Sequence, residues 1–515
     1  MKTIIKIFFL LTLVGYNWLC AQNLTVTTVN TFGSSSNDYG NCVLSRLNGD
    51  YLSLATINAV NSRTTNYHGD TDIWLYSHDP NGVPINQCYG GMYSEEATQV
   101  IHTEDGGYAI LGTASVDDGQ VQGTHNFRQD FCIVKTNVSG IVQWTKCIGG
   151  NDFEYPSKII QTHDHGFVVV GSTTSNDGDV TVSYGDEDVL VAKLDNSGNL
   201  VWAKSLGGQG RDEGMAVLEG QDYSLLIGAS VNTYGTPFYP CSLGGSDVVL
   251  YKLDSIGNLI STRCYGGSGD EGIGNLIALD NGRYCFTGGT NSLDGDVSHP
   301  PANHFESVWL VVLDSSGNIL WDNCYTTQYA CGAFDVRQTS DHGFILAGEA
   351  QVSCYFFEDA ILLKVDSLGN EQSRLCLGGY DYDRFYSITP LSDSTFVAIG
   401  FTESVDGDIT LNYGLSDIFT VEFTFPYLSN SVQDTQPNSL SISKTPSGIK
   451  LFFRESTLNK VSGDIYDVSG RKLSHFNISD SPDEVSYSIP FTAAPGVYVV
   501  SLKTQNGEMH KGFVW

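Results

Sequence analysis

The sequence has few basic residues and little charge overall. Only 16 % of its 515 residues are charged, and 26 Lys and Arg face 58 Asp and Glu, which gives a formal net charge of −32. The excess lies in residues 22–435, which hold 16 basic and 51 acidic side chains, whereas residues 436–515 are nearly neutral. Such a body repels phosphates and anionic membranes, so we expect no nucleic acid among its partners.

Long apolar runs are missing except at the N-terminus. Lys2 and Lys6 precede the apolar run 7–15, and the segment 19–22, Leu-Cys-Ala-Gln, offers cleavage after Ala21. This order is typical of a secretion signal, which we predict over residues 1–21. Lipid attachment at Cys20 is the alternative, although bulky residues precede it. No later run approaches the roughly 20 residues of a membrane-spanning helix, so we predict no transmembrane segment.

Motifs of known catalytic sites are also missing. The sequence contains no G-x-S-x-G, no H-E-x-x-H and no phosphate-binding loop. Carboxylate pairs are so abundant that no single pair indicates a glycosidase. His165 and His342 lie at equivalent turn positions, but no other histidine joins them to suggest a metal site. The sequence therefore indicates no catalytic residue.

A repeat of about sixty residues fills most of the chain. Its clearest marker is an acidic residue that opens an apolar strand, with a serine in one unit. The seven positions are Asp72, Asp130, Asp188, Asp247, Ser307, Asp359 and Asp417, and successive spacings are 58, 58, 59, 60, 52 and 58 residues. Seven units at this period indicate a repeat architecture.

Each unit has the pattern of four short strands. The third and fourth strands are joined by turns such as 195–199, Asp-Asn-Ser-Gly-Asn, and the fourth strand usually ends in Gly-Gly. This pattern predicts an all-β fold, a seven-bladed β-propeller, over 22–428. A right-handed β-helix is the alternative, but its coils are shorter and lack regular hairpin turns. The seventh unit stops after its third strand, and 23–33 resembles a fourth strand, so we predict that the N-terminal strand closes the last blade.

Two matching acidic loops raise the question of calcium. Residues 175–188, SNDGDVTVSYGDED, and 404–417, SVDGDITLNYGLSD, share eight identical positions. Hard cations prefer several carboxylate oxygens. The calcium candidates are Asp177, Asp179, Asp188, Asp406, Asp408 and Asp417. The other interpretation is a structural turn in which the aspartates accept loop amides, and the order Asp-Gly-Asp favours it over a helix–loop–helix calcium loop.

Cysteines fall mainly on predicted strands. Five of them lie near the end of the fourth strand, all but Cys324 just before its glycines, and we interpret these as buried small apolar residues: Cys88, Cys147, Cys264, Cys324 and Cys376. Cys331 and Cys354 instead lie in two loops on one face of a single blade. They are the candidate pair for a disulfide.

Aromatic residues are frequent in the loops of the acidic face. Beside carboxylates, exposed aromatic rings suit stacking on sugars or anchoring of a protein partner. The ligand-binding candidates are Tyr155, Tyr234, Tyr239, Tyr355, Tyr380 and Tyr382. The alternative is that these rings pack against neighbouring loops.

The C-terminal residues have a different sequence pattern from the repeat units. The segments 465–473 (IYDVSGRKL), 494–502 (APGVYVVSL) and 510–515 (HKGFVW) resemble the C-terminal sorting domain of type IX secretion substrates in Bacteroidota. The usual Asn-Pro near the domain start is absent. The resemblance implies a small β-sandwich at 441–515 that binds the type IX translocon, after a linker at 429–440. The repeat units also resemble uncharacterised secreted propellers of these bacteria, which implies fold and surface location but no activity.

These observations together predict a secreted or cell-surface protein on the exterior of the outer membrane, expected to be a monomer. The favoured function is a non-catalytic binding or adhesion module for a glycan or a protein. The alternatives are a polysaccharide-active enzyme with a site at the propeller centre, and a passive scaffold. An enzyme should show repeat-breaking His, Arg or Tyr around a central pocket, and a binder clustered exposed aromatics.

Overall fold

The structure is a computed structural model of the chain. It describes residues 24–46, 49–60, 63–78, 84–125, 127–232, 244–300, 305–351, 357–425, 440–445, 448–453, 461–467, 472–478, 486–490, 497–504 and 507–514. The predicted signal at 1–21 and nearly all of the predicted linker at 429–440 lie outside these residues. The chain divides into two compact units, Met1–Pro426 and Tyr427–Trp515.

The first unit is a seven-bladed β-propeller built from seven four-stranded antiparallel sheets. Strand β1 (Thr25–Phe32) belongs to the last blade. Blade 1 holds β2 (Tyr39–Ser45), β3 (Tyr51–Ile57), β4 (Asp72–Ser77) and β5 (Asn86–Tyr89). Blade 2 holds β6 (Glu95–His102), β7 (Tyr108–Ala114), β8 (Asp130–Thr136) and β9 (Val142–Ile148). Blade 3 holds β10 (Glu154–Gln161), β11 (Phe167–Thr173), β12 (Asp188–Leu194) and β13 (Leu200–Leu206).

The remaining blades follow the same order. Blade 4 holds β14 (Arg211–Glu219), β15 (Leu225–Asn232), β16 (Asp247–Leu253) and β17 (Leu259–Tyr265). Blade 5 holds β18 (Glu271–Ala278), a short 3-10 turn (Asp280–Gly282), β19 (Tyr284–Thr290), β20 (Ser307–Leu313) and β21 (Ile319–Tyr325). Blade 6 holds β22 (Cys331–Gln338), β23 (Phe344–Ala350), β24 (Asp359–Val365) and β25 (Glu371–Leu377). Blade 7 holds β26 (Asp383–Pro390), β27 (Thr395–Thr402) and β28 (Asp417–Thr424).

The N-terminal strand completes blade 7, as the sequence predicts. The strand order in that sheet is β26-β27-β28-β1, and β1 pairs antiparallel with β28 from Thr25↔Thr424 to Phe32↔Ile418. Phe32 is buried and packs edge-on against Trp74 of blade 1, with ring centroids 5.9 Å apart. One strand from the start of the chain therefore joins the last blade to the first.

Burial follows the position of a strand within its blade. Second and third strands such as β11 and β12 are buried along their whole length, since neighbouring blades cover both faces of each sheet. This explains their continuous apolar sequences, FVVVGST and DVLVAKL, because strands covered on both faces do not need to alternate. The fourth strands lie outside and are partly exposed, as in β13.

Acidic residues lie in pairs at the junctions between blades. The acid that opens a third strand lies beside the acid near the start of the next blade's first strand. A Cβ placed on Gly90, for example, would contact both Glu95 Oε2 and Asp72 Oδ1. Glu95 Oε2 also accepts a hydrogen bond from Gly91 N at 2.8 Å. The six pairs are Asp72–Glu95, Asp130–Glu154, Asp188–Asp212, Asp247–Glu271, Asp359–Asp383 and Asp417–Asp38. Ser307 and Cys331 take the two places at the seventh junction.

The cysteines depart from the sequence analysis at two points. Cys331 is a free, buried thiol whose Sγ donates to Tyr325 O at 3.2 Å, so the predicted disulfide with Cys354 is absent. The reason is that Cys331 opens β22 and points into a blade junction instead of lying in a surface loop. Cys354 lies outside the described residues. Cys264, interpreted above as a small apolar residue, is disulfide-bonded.

The second unit contains two sheets in a small β-sandwich. A three-stranded sheet has the order β29-β30-β33, and a four-stranded sheet has the order β32-β31-β34-β35. Ile465 and Val500 are paired between β31 and β34 and are both fully buried. The strands are β29 (Leu440–Thr445), β30 (Gly448–Phe453), β31 (Val461–Asp467), β32 (Lys472–Ile478), β33 (Ser486–Pro490), β34 (Val497–Thr504) and β35 (Gly507–Val514). Within the described parts of the chain, no helix is long and apolar enough to cross a membrane.

Candidate binding site in the axial cavity

A cavity of about 640 Å³ lies where the first strands of the seven blades converge. Its lining includes one residue from the same structural position in each blade: Asn41, Thr98, Ser157, Met215, Gly274, Phe334 and Tyr386. Other lining residues, among them Asn37, Asn58 and Thr71, come from the loops and strand ends of blade 1. The cavity is therefore axial, and it is extended on the side of blade 1.

A β-bulge in every first strand presents these seven side chains. In blade 1, Gly40 pairs with Ala55 and Cys42 with Leu54, which leaves Asn41 without a partner on β3. The same shift occurs in the other six first strands, around the equivalent residue. A bulge re-aims the extra side chain and is frequent next to functional sites. The seven bulges thus form one ring around the axis.

Aromatic rings line the cavity on blades 6, 7 and 1. The rings of Phe334 and Tyr386 have centroids 5.8 Å apart, and Phe401 lies 5.9 Å from Tyr386 and 5.2 Å from Tyr39. Arg384 Cζ lies 5.3 Å from the Phe334 centroid and 5.8 Å from that of Tyr386. Such cation–π contacts hold the two rings in place. This side of the cavity offers flat apolar surface.

Polar groups line the cavity on blades 1, 2 and 3. Asn41 Oδ1 accepts hydrogen bonds from Thr56 N at 2.9 Å and Thr56 Oγ1 at 3.1 Å, which orients its amide group. Thr98 and Ser157 contribute hydroxyl groups and Lys158 an ammonium group, all within the cavity lining. In a seven-membered ring blade 6 faces blades 2 and 3, so Phe334 lies across the axis from Thr98 and Ser157, while blade 1 contributes both Tyr39 and Asn41.

Among the described residues that line the cavity there is one carboxylate, that of the exposed Glu96. Tyr386 lies close to Arg384 and Glu349, which form an ion pair. Burial raises the pKa of the Tyr386 hydroxyl, and Arg384 only partly offsets this effect. The phenol is therefore neutral, and it can donate or accept a hydrogen bond in the cavity.

The tyrosines predicted as ligand contacts lie elsewhere. Tyr155, Tyr380 and Tyr382 are exposed, and none of them lines the axial cavity. Tyr155 stacks on Phe153 at 6.1 Å, and Tyr382 contacts Phe357 edge-on at 4.8 Å, so both pack against neighbouring loop residues. Tyr234, Tyr239 and Tyr355 lie outside the described residues. A role of these tyrosines in binding stays a prediction.

The six calcium candidates lie in two separate loops, and each of them takes part in a hydrogen bond. Asp177 Oδ1 accepts from Asn151 N at 2.8 Å, and Asp406 Oδ1 accepts from Tyr380 N at 2.9 Å. Asp188 and Asp417 open third strands and accept from Tyr184 N and Tyr413 N. The amides of Asp179 and Asp408 donate to Gly149 O and Gly378 O. Among the described residues, no group of three or more His, Cys, Asp or Glu could hold a metal ion. Calcium binding stays a prediction.

The ring of bulge residues was missed by the sequence analysis. Each member follows the junction residue at the start of its strand by three positions, as Asn41 follows Asp38 and Tyr386 follows Asp383. Around this position the units keep their pattern of acids and apolar residues, while the position itself holds seven different amino acids. A search for variable positions within the repeat could have found it.

Comparisons with known proteins give only distant likenesses. An ulvan lyase, a polysaccharide lyase, is 10 % identical with a TM-score of 0.43, over 76 % of this chain and 95 % of that chain. Prolyl oligopeptidase B of Galerina marginata is 10 % identical (TM-score 0.38; 85 % and 57 %), and Sqt1 of Chaetomium thermophilum is 12 % identical (TM-score 0.39; 72 % and 83 %). No protein family and no curated protein matches the sequence.

Proposed function

We propose that the propeller is a non-catalytic binding module that holds a sugar unit of a glycan in its axial cavity. The observation that carries this proposal is the ring of bulge residues, with Phe334 and Tyr386 opposite Thr98 and Ser157. A sugar ring has apolar faces that stack on aromatic rings and hydroxyl groups that bond to amides and hydroxyls at its edge. The volume of about 640 Å³ lies within the usual range of small-molecule sites, roughly 300–1,000 Å³.

Binding is favoured over catalysis by the charges in the cavity. Tyr386 is a repeat-breaking tyrosine at the centre, which is the feature expected of an enzyme. Hydrolysis of a glycosidic bond ordinarily needs two carboxyl groups that flank the bond, whereas Glu96 is the one acid in the described lining. The raised pKa of Tyr386 also disfavours a role as proton-abstracting base.

The test is a glycan array followed by isothermal titration of the best ligand with the full chain. We expect Tyr386→Ala and Phe334→Ala each to weaken binding at least tenfold, because stacking is lost. Tyr155→Ala is the matched control, since Tyr155 is an exposed aromatic residue near the start of β10 and outside the cavity, and the variant should bind like the wild type. Loss of binding in Tyr155→Ala with no effect of Tyr386→Ala would place the ligand on the loops and refute the proposal. Turnover of the bound glycan would establish an enzyme instead.

We further propose that residues 441–515 direct export through the type IX translocon to the cell surface or the medium. The support is the resemblance of 465–473, 494–502 and 510–515 to sorting domains, together with the predicted leader at 1–21. In a host with type IX secretion, deletion of 441–515 should leave the propeller in the periplasm, while the full chain reaches the surface or medium. Equal export of both forms would contradict the assignment.

A further inference from the structure

Lys158 breaks the repeat at the centre of the propeller. It follows the bulge residue Ser157 in β10 and lines the axial cavity. The other six blades have shorter and uncharged or acidic residues at this position: Cys42, Gln99, Ala216, Asn275, Asp335 and Ser387. Lys158 is thus the single cation in this second ring, and it is the member whose side chain reaches the cavity lining.

Three buried lysines of the propeller have carboxylate partners, whereas Lys158 is half-buried. Lys135 Nζ lies 2.8 Å from Asp105, Lys193 Nζ 2.9 Å from Asp164 and Lys364 Nζ 2.9 Å from Asp341. The ammonium group of Lys158 forms no hydrogen bond or ion pair with any residue that the structure describes, although Asp335 is near enough to interact with it electrostatically. A carboxylate thus lies within ion-pair distance of each of these three ammonium groups, and among the described residues none does so at Lys158.

The acid of the second ring is already saturated. Asp335 Oδ1 accepts from Asn275 Nδ2 and Arg337 at 2.6 Å each, and Oδ2 accepts from Ile388 N at 2.9 Å. Its field raises the pKa of Lys158, but burial has the larger effect and lowers it. An ammonium group that is half-buried and has no hydrogen-bonded counter-ion is less well solvated than in bulk water, and a bound anion relieves that cost.

A second donor lies in the same lining. Because Thr56 occupies Oδ1 of Asn41, the Nδ2 group is the part of this amide left to bond with a ligand. Asn41 and Lys158 therefore both present donors, and donors in combination suit an acceptor that carries negative charge. The single positive charge of Lys158 is balanced by a ligand group that carries a single negative charge.

We infer that the sugar bound in the axial cavity carries one monoanionic group, a carboxylate or a sulfate ester, which pairs with the ammonium group of Lys158. This inference rests on the proposed function and names its ligand class as acidic sugars. The long-range electrostatic field of the propeller repels an anionic ligand, since residues 22–435 carry a large excess of acidic side chains. At physiological ionic strength that field is screened over about 8 Å, so the contact inside the cavity prevails.

The experiment compares glucose, glucuronate and glucose 6-sulfate by isothermal titration against the full chain. We expect glucuronate, glucose 6-sulfate or both to bind at least tenfold more tightly than glucose. Lys158→Met should abolish this preference and Lys158→Arg should keep it. Lys204→Met makes the same change on the exposed outer strand β13 and should leave the preference intact. Glu96→Gln, which removes an acid from the lining, should strengthen binding of the anionic sugars only.

The outcomes separate the inference from the proposed function. In one outcome, glucose binds as tightly as both anionic sugars, and its binding is lost in Tyr386→Ala. That result would sustain the proposed function and overturn the inference. A preference for anionic sugars that survives Lys158→Met would also overturn it. Absence of binding for all three sugars would refute the inference and count against the sugar site. The comparison of the three sugars on the unaltered protein requires no variant to fold.

Discussion

In several blades one aspartate of the loop between the second and third strands accepts a hydrogen bond from the backbone amide that follows the glycines at the end of a fourth strand. Asp177 accepts the amide of Asn151, and Asp118, Asp294 and Asp406 accept the equivalent amides in three other blades at 2.7 to 2.9 Å. Gly178 in the same loop has a φ of 64°, a conformation that favours glycine. The acidic loops thus have a structural role that does not depend on a cation.

Removal of one such acceptor should destabilise the propeller slightly. We expect Asp177→Ala to lower the free energy of unfolding by about 1 kcal/mol, because the amide of Asn151 loses its partner. Asp177→Asn keeps an acceptor oxygen and should have little effect. Chemical unfolding with and without calcium measures both. If calcium raises the melting temperature of the wild type and the double variant Asp177→Asn, Asp179→Asn abolishes the rise, the loop is a calcium site.

Strand β1 is the element on which the closed ring depends. It pairs along the whole of β28, and Phe32 at its end is 2 % exposed and packs between blades 7 and 1. A propeller whose last sheet mixes strands from both ends of the chain cannot open there without breaking this pairing. Unfolding of the ring therefore requires release of the N-terminal strand.

Truncation of Phe32 should be costly for that reason. We expect Phe32→Ala to lower the free energy of unfolding by about 3–5 kcal/mol, since the contacts with Trp74 are lost and a cavity is left. Thr28→Ala, in the exposed middle of the same strand, is the control and should change it by less than about 0.5 kcal/mol. Urea titration of the full chain gives both values. Equal effects of the two substitutions would argue against closure through β1.

Six junctions between blades of the molecule contain paired carboxyl groups, and all of these groups except that of Asp359 are buried. Four of the third-strand acids, Asp72, Asp130, Asp188 and Asp417, have an Oδ1 atom that is buried and forms no hydrogen bond with any residue that the structure describes. Burial raises the pKa of Glu95 to about 8, that of Asp130 to about 7, and those of Asp212, Asp383 and Asp417 to about 6. These groups bind protons more tightly in the folded state than in the unfolded state.

Stability should therefore fall as the pH rises from about 5 to 8. An acid with a raised folded-state pKa contributes stability that is full below its unfolded pKa, near 4, and lost as the pH passes its folded pKa. Melting temperatures across this range test the prediction. Glu95→Gln, which cannot ionise, should be more stable than the wild type at pH 8 and similar to it at pH 5. A wild-type stability that is constant or rises between pH 6 and 8 would contradict the prediction.

The sequence by itself determined the fold and its closure. The period of the acids Asp72 to Asp417, the Asp and Gly of the turns and the incomplete seventh unit are local or periodic signals, and seven repeats reinforce one another. The acids of the first strands recur with the same period, and one of them, Glu95, accepts a hydrogen bond from Gly91 N. These features depend on residues close together in the sequence, and each of the seven units repeats them.

Only the tertiary structure decided where a ligand can bind. The bulge residues Asn41, Phe334 and Tyr386 are far apart in sequence, and they meet because ring closure brings seven first strands to one axis. A one-residue bulge reverses which side chains face that axis, and sequence alternation alone does not reveal it. For the same reason the lack of a partner for Lys158, and the packing of Cys331 in a junction instead of a disulfide, follow from neighbours that the fold supplies across blades.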